Sequence, residues 1–217
     1  MHIMEGFLPA EWSVVWYAFA IPIVIYGAWK TKKLIDREPA MKSLVAVAAG
    51  FIFVLSALKL PSVTGSCSHP TGTGVAVVLF GPSITAFLSI IVLLYQALLL
   101  AHGGITTLGA NTASMGIIGP FVGWLAYRTL KNFNLKAAIF AAAMLADLVT
   151  YIVTSIQLAL AFPASEGVSG ILTSTATFMG VFAITQIPLS IVEGVVAVLL
   201  VSYLIEVRSD VLEVVKA

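Results

Sequence analysis

The sequence predicts an all-α membrane protein: one integral domain over residues 1–217 with about seven transmembrane helices, one of them short or re-entrant. Hydrophobic residues make up 60% of the chain and charged residues only 10%. A soluble domain carries about 25% charged residues. The apolar residues also gather in stretches of about 20, the length that spans the hydrocarbon core of a bilayer once. A multi-pass protein of the cell membrane is therefore expected.

Five long apolar stretches predict helices that cross the membrane, at residues 10–29, 43–60, 112–130, 135–162 and 175–205. A sixth stretch, 74–101, is interrupted by Gly81 and Pro82, and it is too long for one comfortable crossing yet too short for two. We expect a half-helix, 74–80, that enters from outside, a turn at Gly81-Pro82, and a full span that returns. Non-helical backbone at membrane depth is tolerated only inside protein or along a cavity, so this turn predicts a substrate pocket.

The basic residues predict the orientation in the membrane. Ten of the eleven Lys and Arg residues fall in segments that successive crossings put on one side. The ten are Lys30, Lys32, Lys33, Arg37, Lys42, Arg128, Lys131, Lys136, Arg208 and Lys216. By the positive-inside rule these segments are cytoplasmic, so we expect an external N-terminus and a cytoplasmic C-terminus. Loops 61–73 and 102–111 are then external, and Lys59 is the exception.

Met1 and His2 form a candidate metal chelate. The α-amino group, the His2 amide nitrogen and the His2 imidazole close a five-membered and a six-membered ring on one ion. A fourth ligand would complete a square-planar site, which suits Ni(II) or Cu(II) better than Zn(II). The chelate needs an intact N-terminus, which we expect because residues 1–9 carry Glu5 and no basic signal-peptide segment. The other histidines, His69 and His102, fall in loops predicted on the same external face.

Other features limit the classes of function. A net charge of +1 gives no sign of a nucleic-acid partner, and the single cysteine, Cys67, cannot form an internal disulfide. The chain also lacks the phosphate-binding pattern GxxxxGK[ST], so an ATP-driven step needs another protein.

Three motifs resemble the CbiM/NikM family: MHIMEGFLP at residues 1–9, GSCSHPTGTG at 65–74 and AHGGITTLGAN at 101–111. Members of that family are the substrate-binding S-components of energy-coupling factor (ECF) transporters for cobalt and nickel. The resemblance implies that the amine of Met1, the backbone and ring nitrogens of His2, and His69 hold a transported Ni2+ or Co2+ ion. It implies no resident cofactor and no enzymatic activity.

The resemblance also implies partners. They are a transmembrane coupling subunit, two ATP-binding cassette ATPase subunits and often a small extra membrane subunit, in the lipid of a prokaryotic inner membrane. ATP-driven movement of the whole S-component, by toppling, would carry the metal across. The SCSHPTGTG version is more similar to members assigned to cobalt, whereas planar nitrogen ligation favours nickel, so both metals stay open.

Several loop residues have alternative roles. His102 ends the preceding helix ahead of two glycines, orients a ligand ring or lines the entrance, or binds the metal itself. Cys67 is either a thiolate donor or a small packing residue. Asn111 and Thr106, with Thr107, are expected to bond loop backbone or to hold the N-terminus.

Two carboxylates, Asp147 and Glu193, fall inside predicted spans, where ionisable groups are costly and are often functional. No basic residue obviously pairs with either one, so protonation or hydrogen bonds to Thr, Gln or Tyr are expected. Small residues also recur at four-residue spacing, which lets helices approach closely, either within the chain or on a partner. These are Ala46 with Gly50, and Ala138 with Ala142 and Ala146.

Two other classes of protein remain as alternatives. A secondary metal or ion transporter would use Asp147 and Glu193 as ion sites, although no internal repeat is visible. An intramembrane metalloenzyme would need an open coordination position with a general base beside it, and the chain has no HExxH. Uptake that persists without an ATPase partner would favour the first alternative, and metal-dependent proteolysis the second.

Overall fold

The computed structural model describes residues 1–61 and 66–208. Lys216 and residues 62–65 of the predicted external loop lie outside the described residues. The elements in chain order are β1 (His2–Ile3), α1 (Ala10–Arg37), α2 (Met41–Ala57), β2 (Leu60–Pro61), β3 (Ser66–Ser68), α3 (Thr73–Leu100), α4 (Leu108–Asn111), a π-helical segment (Thr112–Ile118), α5 (Gly119–Leu130), α6 (Leu135–Ala161) and α7 (Val168–Val207).

The prediction of an all-α membrane protein is confirmed at the level of class. In the described part of the chain, α1, α3, α6 and α7 are long and apolar enough to cross a membrane, and α2 is a shorter apolar helix. The structure adds a three-stranded sheet in the order β1-β3-β2, which the sequence analysis did not predict. Strands of two or three residues are too short to produce a visible alternation of polar and apolar residues.

Three helix boundaries differ from the predicted ones by four residues or more. Helix α1 continues to Arg37 rather than ending at 29, with Lys30 and Lys33 lying over the rings of Tyr26 and Trp29, each 4.9 Å from the ring centroid. Helix α7 begins at Val168 rather than 175. The helical chain before α5 begins at Leu108 rather than 112, so Asn111 lies in a helix and not in a loop. Hydropathy marks the part of a helix within lipid, and a helix continues beyond that part where its backbone bonds persist.

Helix α3 reverses direction at the predicted break. Gly81 has φ 76° and ψ 173°, a conformation that glycine adopts readily, and Pro82 follows it. A straight helix of these 28 residues would be about 42 Å long. Instead the residues that flank α3 meet, because Cys67 Sγ before it and His102 Nε2 after it are 2.9 Å apart.

The described helices that carry basic residues meet at one end of the molecule. Met41 of α2, Tyr127 of α5, Ala138 of α6 and Val201 of α7 share one buried cluster, against which Leu34 of α1 packs. We call this the basic end. A second cluster, at the opposite ends of α6 and α7, contains Met1, Ile3, Leu158 and Phe182. The N-terminus therefore packs into the protein interior far from the basic end.

The two sets of small residues have different environments. Ala138, Ala142 and Ala146 are buried within the chain, where Gly123 of α5 lies against Ala142 and Ala146. Ala46 and Gly50 of α2 are exposed in the described structure. Packing within the chain thus accounts for the α6 set and leaves the α2 pair on the surface.

Candidate metal centre

The small sheet brings the N-terminus to the loop that carries His69. Strand β1 pairs antiparallel with β3, with His2 opposite Cys67 and Ile3 opposite Ser66. Strand β3 pairs on its other edge with β2, with Leu60 opposite Ser68. We call residues 1–6 the N-terminal segment and residues 68–72 the His69 loop. Backbone pairing between them sets His2 beside His69.

Three histidines and the cysteine converge at this point. The rings of His2 and His69 have centroids 4.4 Å apart, those of His2 and His102 4.3 Å, and those of His69 and His102 5.0 Å. His102 Nε2 and Cys67 Sγ are hydrogen-bonded at 2.9 Å. One donor atom from each of the four residues lies within 4.8 Å of the others. All four side chains are buried, and Met1 is buried beside them.

The tautomer of His69 follows from its contacts. His69 Nδ1 lies 2.7 Å from the carbonyl oxygen of Pro70, and a carbonyl only accepts, so Nδ1 carries the hydrogen. In the neutral ring the lone pair is then on Nε2. That nitrogen is hydrogen-bonded with His2 Nδ1. The two atoms that face each other are therefore the two ring nitrogens that a metal ion between these residues would bind.

Side chains of α4 and the loop before it hold the N-terminal segment. Asn111 bonds both backbone groups of Ile3: its Oδ1 accepts from Ile3 N at 2.8 Å, and its Nδ2 donates to Ile3 O at 3.0 Å. Thr107 Oγ1 also donates to Ile3 O at 2.8 Å. Three buried bonds thus fix the residue that follows His2.

Exposed contacts continue along the same segment. Thr106 Oγ1 accepts from Gly6 N at 3.0 Å, and Thr106 N donates to the Glu5 carboxylate at 3.1 Å. Glu5 N donates to Gly103 O at 3.1 Å. Gly103 has φ 76°, and a Cβ there would lie 3.0 Å from His2 Cδ2. Gly103 therefore lies directly against the His2 ring.

The end of α3 differs in detail from the expected glycine cap. Ala101 takes the left-handed conformation, with φ 47°, and His102 N donates to Gln96 O at 3.1 Å. His102 therefore lies just beyond the cap, with its ring against His2 and its Nε2 on Cys67.

Helix α7 holds the His69 loop. Ser68 Oγ and Thr185 Oγ1 are hydrogen-bonded at 2.8 Å. The carboxylate of Glu193 accepts three bonds: from Thr71 N at 2.5 Å, from Thr71 Oγ1 at 2.8 Å and from Gly72 N at 2.8 Å. These contacts lie on either side of His69 in the sequence.

Asp147 is in a different environment. It is fully buried in α6, and its Oδ1 accepts from Gln186 Nε2 at 3.3 Å. Its Oδ2 accepts no hydrogen bond from the described residues. Both carboxylates thus bond the residue types expected from the sequence, Gln and Thr, but only Glu193 bonds the His69 loop.

Burial favours the uncharged form of the amine and imidazole groups at this point. Burial lowers the pKa of the Met1 amine, and it lowers the pKa of His2 and of His69 well below 6.5. The pKa of His102 falls to about 4, first through burial and then through the positive amine nearby. Burial raises the pKa of the Cys67 thiol. Neutral amine and imidazole groups can bind a metal ion without first losing a proton.

Sequence reasoning missed four residues of this arrangement: Ser68, Thr71, Gly72 and Thr185. Thr71 and Gly72 lie within the quoted GSCSHPTGTG motif, which could have drawn attention to them. Nothing in the sequence pairs them with Glu193, which is 122 and 121 positions away.

Comparisons with known proteins identify the family that this chain resembles in sequence and fold. Residues 2–211 match the family described as CbiM, the cobalt uptake substrate-specific transmembrane region. The chain is 76% identical over 217 residues to a putative cobalt transport protein CbiM of Archaeoglobus fulgidus, covering 100% of both chains. It is 55% identical over 210 residues to the cobalt transport protein CbiM of Acetoanaerobium sticklandii, covering 97% of this chain and 86% of that one.

Two solved structures have the same fold. A crystal structure of a transition metal transporter superposes with a TM-score of 0.80 and 28% identity, covering 95% of this chain and 93% of that chain. A truncated transition metal transporter gives a TM-score of 0.79 with 26% identity, covering 95% and 99%. From the match over nearly its whole length and from these relatives, the chain belongs to the CbiM family.

Proposed function

We propose that this chain is the S-component of an ECF transporter, which captures Co2+ or Ni2+ outside the cell and delivers it for ATP-driven import. The observation that carries the proposal is the convergence of His2, His69, His102 and Cys67 around a buried N-terminus, in a family of cobalt uptake proteins. The metal ion is the transported substrate and not a resident cofactor.

The proposed ligands are four nitrogens: the Met1 amine, the His2 amide, His2 Nδ1 and His69 Nε2. Two facts support the ring donors, namely their mutual hydrogen bond and the proton on His69 Nδ1. The lowered pKa of the Met1 amine supports that group as a further donor. Four planar nitrogens suit Ni(II), while the relatives are named for cobalt.

The proposed topology has about seven transmembrane helices, with the two segments of α3 counted separately. The N-terminus and the metal site are external, and the basic end and the C-terminus are cytoplasmic. The cluster that joins the basic ends of the helices supports this orientation, since positive loops stay in the cytoplasm. The proposed location is the plasma membrane.

The proposed partners are a transmembrane coupling subunit, two ATP-binding cassette ATPases and often a small extra membrane subunit. The lack of GxxxxGK[ST] in this chain supports ATP hydrolysis by a partner protein. Uptake in cells that lack these ATPases would contradict this part of the proposal and favour a secondary transporter.

A metal titration of the purified protein tests the ligand set. Protein with its authentic N-terminus is titrated with Ni2+ and with Co2+, and binding is followed by d–d absorption and calorimetry. The proposal expects one ion per chain and, for Ni2+, a yellow diamagnetic species typical of planar nitrogen ligation.

A variant with one residue added before Met1 is the matched control. It removes the terminal amine from the chelate and leaves every side chain in place, so it should lose tight binding and remain folded. Unchanged affinity in the extended protein would rule out the amine as a ligand.

A further inference from the structure

The His69 loop is fixed to one helix at two points. Ser68 bonds Thr185, and Thr71 with Gly72 bonds Glu193. Thr185 and Glu193 are eight residues apart on α7, a rise of about 12 Å. The three residue steps from Ser68 to Thr71 span at most about 11 Å. The loop therefore runs along α7 over a comparable length, with His69 between the two attachments.

Glu193 is the stronger of the two attachments. Its carboxylate is buried and accepts three hydrogen bonds, two of them from backbone N–H groups. A carboxylate within a membrane helix is costly and is retained where it has specific partners. Here all three donors belong to Thr71 and Gly72, next to the His69-Pro70 pair.

The N-terminal segment depends on different elements. Its bonds are made by Asn111 and Thr107, and those residues belong to α4 and the loop before it. The position of His69 relative to the N-terminal donors therefore depends on the position of α7 relative to α4, in addition to the direct pairing of β1 with β3.

We infer that Glu193 is a positioning residue, which acts through Thr71 and Gly72 to hold His69 against the metal bound by the N-terminal segment. The inference rests on the proposed function and deepens it, because it assigns control of one metal ligand to α7. Loosening this attachment lets His69 leave the ion while the other three donors stay in place.

The test compares Glu193→Gln with the wild type in the full-length protein with its authentic N-terminus. An amide has one oxygen to accept, and its NH2 group meets an N–H donor where the second carboxylate oxygen was. We expect Ni2+ to dissociate about 10- to 100-fold faster, the range seen when a group that orients a metal ligand is removed. Dissociation is followed by loss of the d–d band after an excess of chelator is added. The band of the saturated variant should keep its wild-type position, because the ligands are unchanged.

The same substitution in the His69→Ala protein separates positioning of His69 from general destabilisation of the protein. If Glu193 acts through His69, then adding Glu193→Gln to His69→Ala should change the Ni2+ dissociation constant by less than about 2-fold, since coupled residues are not additive. An equal increase in the Ni2+ dissociation constant when Glu193→Gln is added to the wild type and to His69→Ala would overturn the inference. An unchanged dissociation rate in the Glu193→Gln single variant would also overturn it. A wild type that binds no Ni2+ or Co2+ would instead overturn the proposed function.

Thr185→Val is a milder variant, which weakens the attachment of the His69 loop and keeps the Glu193 carboxylate. It removes the bond to Ser68 and should speed dissociation about 3-fold, the worth of one hydrogen bond. Its matched control is Thr177→Val, an exposed Thr of the same helix whose Oγ1 donates to Thr173 O. If Glu193→Gln does not fold, the comparison of Thr185→Val with Thr177→Val tests the inference instead. Equal Ni2+ dissociation rates in these two variants would overturn it.

Discussion

The two halves of the metal site are built differently. The N-terminal segment supplies its proposed donors from two consecutive residues, so their spacing is fixed by covalent bonds. The His69 loop supplies one donor, which reaches His2 only because β1 pairs with β3 and α7 holds the loop. One half is a local chelate and the other is a tertiary contact. A movement of the loop could therefore displace its one proposed donor while the covalent spacing of the other donors stays unchanged.

The elements that support each half also differ. Buried bonds from Asn111 and Thr107 fix Ile3 beside the chelate. The His69 loop is bonded to α7, which packs on α6 along its length and reaches the basic end. Substitutions on the two sides should therefore affect metal binding to different extents.

His69→Ala should have the largest effect, because it removes the only proposed donor that the loop supplies. We expect the Ni2+ dissociation constant to rise at least 100-fold, beyond the range of about 10- to 100-fold for residues that only orient a ligand. Calorimetry gives the constant, and the change in d–d absorption reports the lost planar site. A loss of less than 10-fold would show that His69 is not a ligand.

Asn111→Ala should come next, because it leaves both backbone groups of Ile3 with one partner fewer in a buried site. We expect affinity to fall about 10- to 100-fold, measured by the same titration. Asn134→Ala is the matched control: Asn134 accepts from Ala137 N at the exposed start of α6. An equal loss in both variants would argue that general destabilisation is the cause.

His102→Ala should have a smaller effect, since its Nε2 is bonded to Cys67 and its ring packs on His2. We expect a loss below about 10-fold, at the lower edge of the range for supporting residues. Cys67→Ala should give a similar value because it removes the other half of the same pair. A loss for His102→Ala as large as for His69→Ala would make His102 a metal ligand.

Thr106→Val should have the smallest effect. Its bond to Gly6 N is exposed, so water replaces the lost partner, and we expect a change of about 2-fold or less in affinity. The buried Thr107→Val provides the comparison and should lose more, because Ile3 O then loses a buried donor. Reversal of this order would mean that the exposed contacts, and not the buried ones, hold the N-terminal segment.

Much of the fold could be predicted because lipid imposes simple lengths. The apolar stretches found the helices, and Gly81-Pro82 marked the reversal of α3, since both residues disturb helical bonding. Hydropathy could not show that α1 continues to Arg37 or that residues 112–118 form a π-helix. Those features depend on backbone hydrogen bonds and not on the distribution of apolar side chains.

The site was predicted less completely. Crossing parity was enough to expect His2, His69 and His102 on one face, and the motif at 65–74 directed attention to the loop. The bond between Glu193 and Thr71 could not be expected, because a tertiary contact across 122 residues leaves no periodic signal. The same is true of Ser68 with Thr185, which are 117 residues apart.

Pro188 of α7 lies between Thr185 and Glu193, the two residues to which the His69 loop is attached. Proline has no N–H to donate to the carbonyl four residues earlier, so a helix bends most readily at this position. Before it, Phe182 packs with Met1 and Ile3; after it, Glu193 holds Thr71 and Gly72. Flexing α7 at this proline would move Phe182 and Glu193 relative to each other, and with them the N-terminal segment and the His69 loop. A force applied near Val201, toward the basic end of α7, would then change the site about 20 Å away, by the rise per residue from 188 to 201.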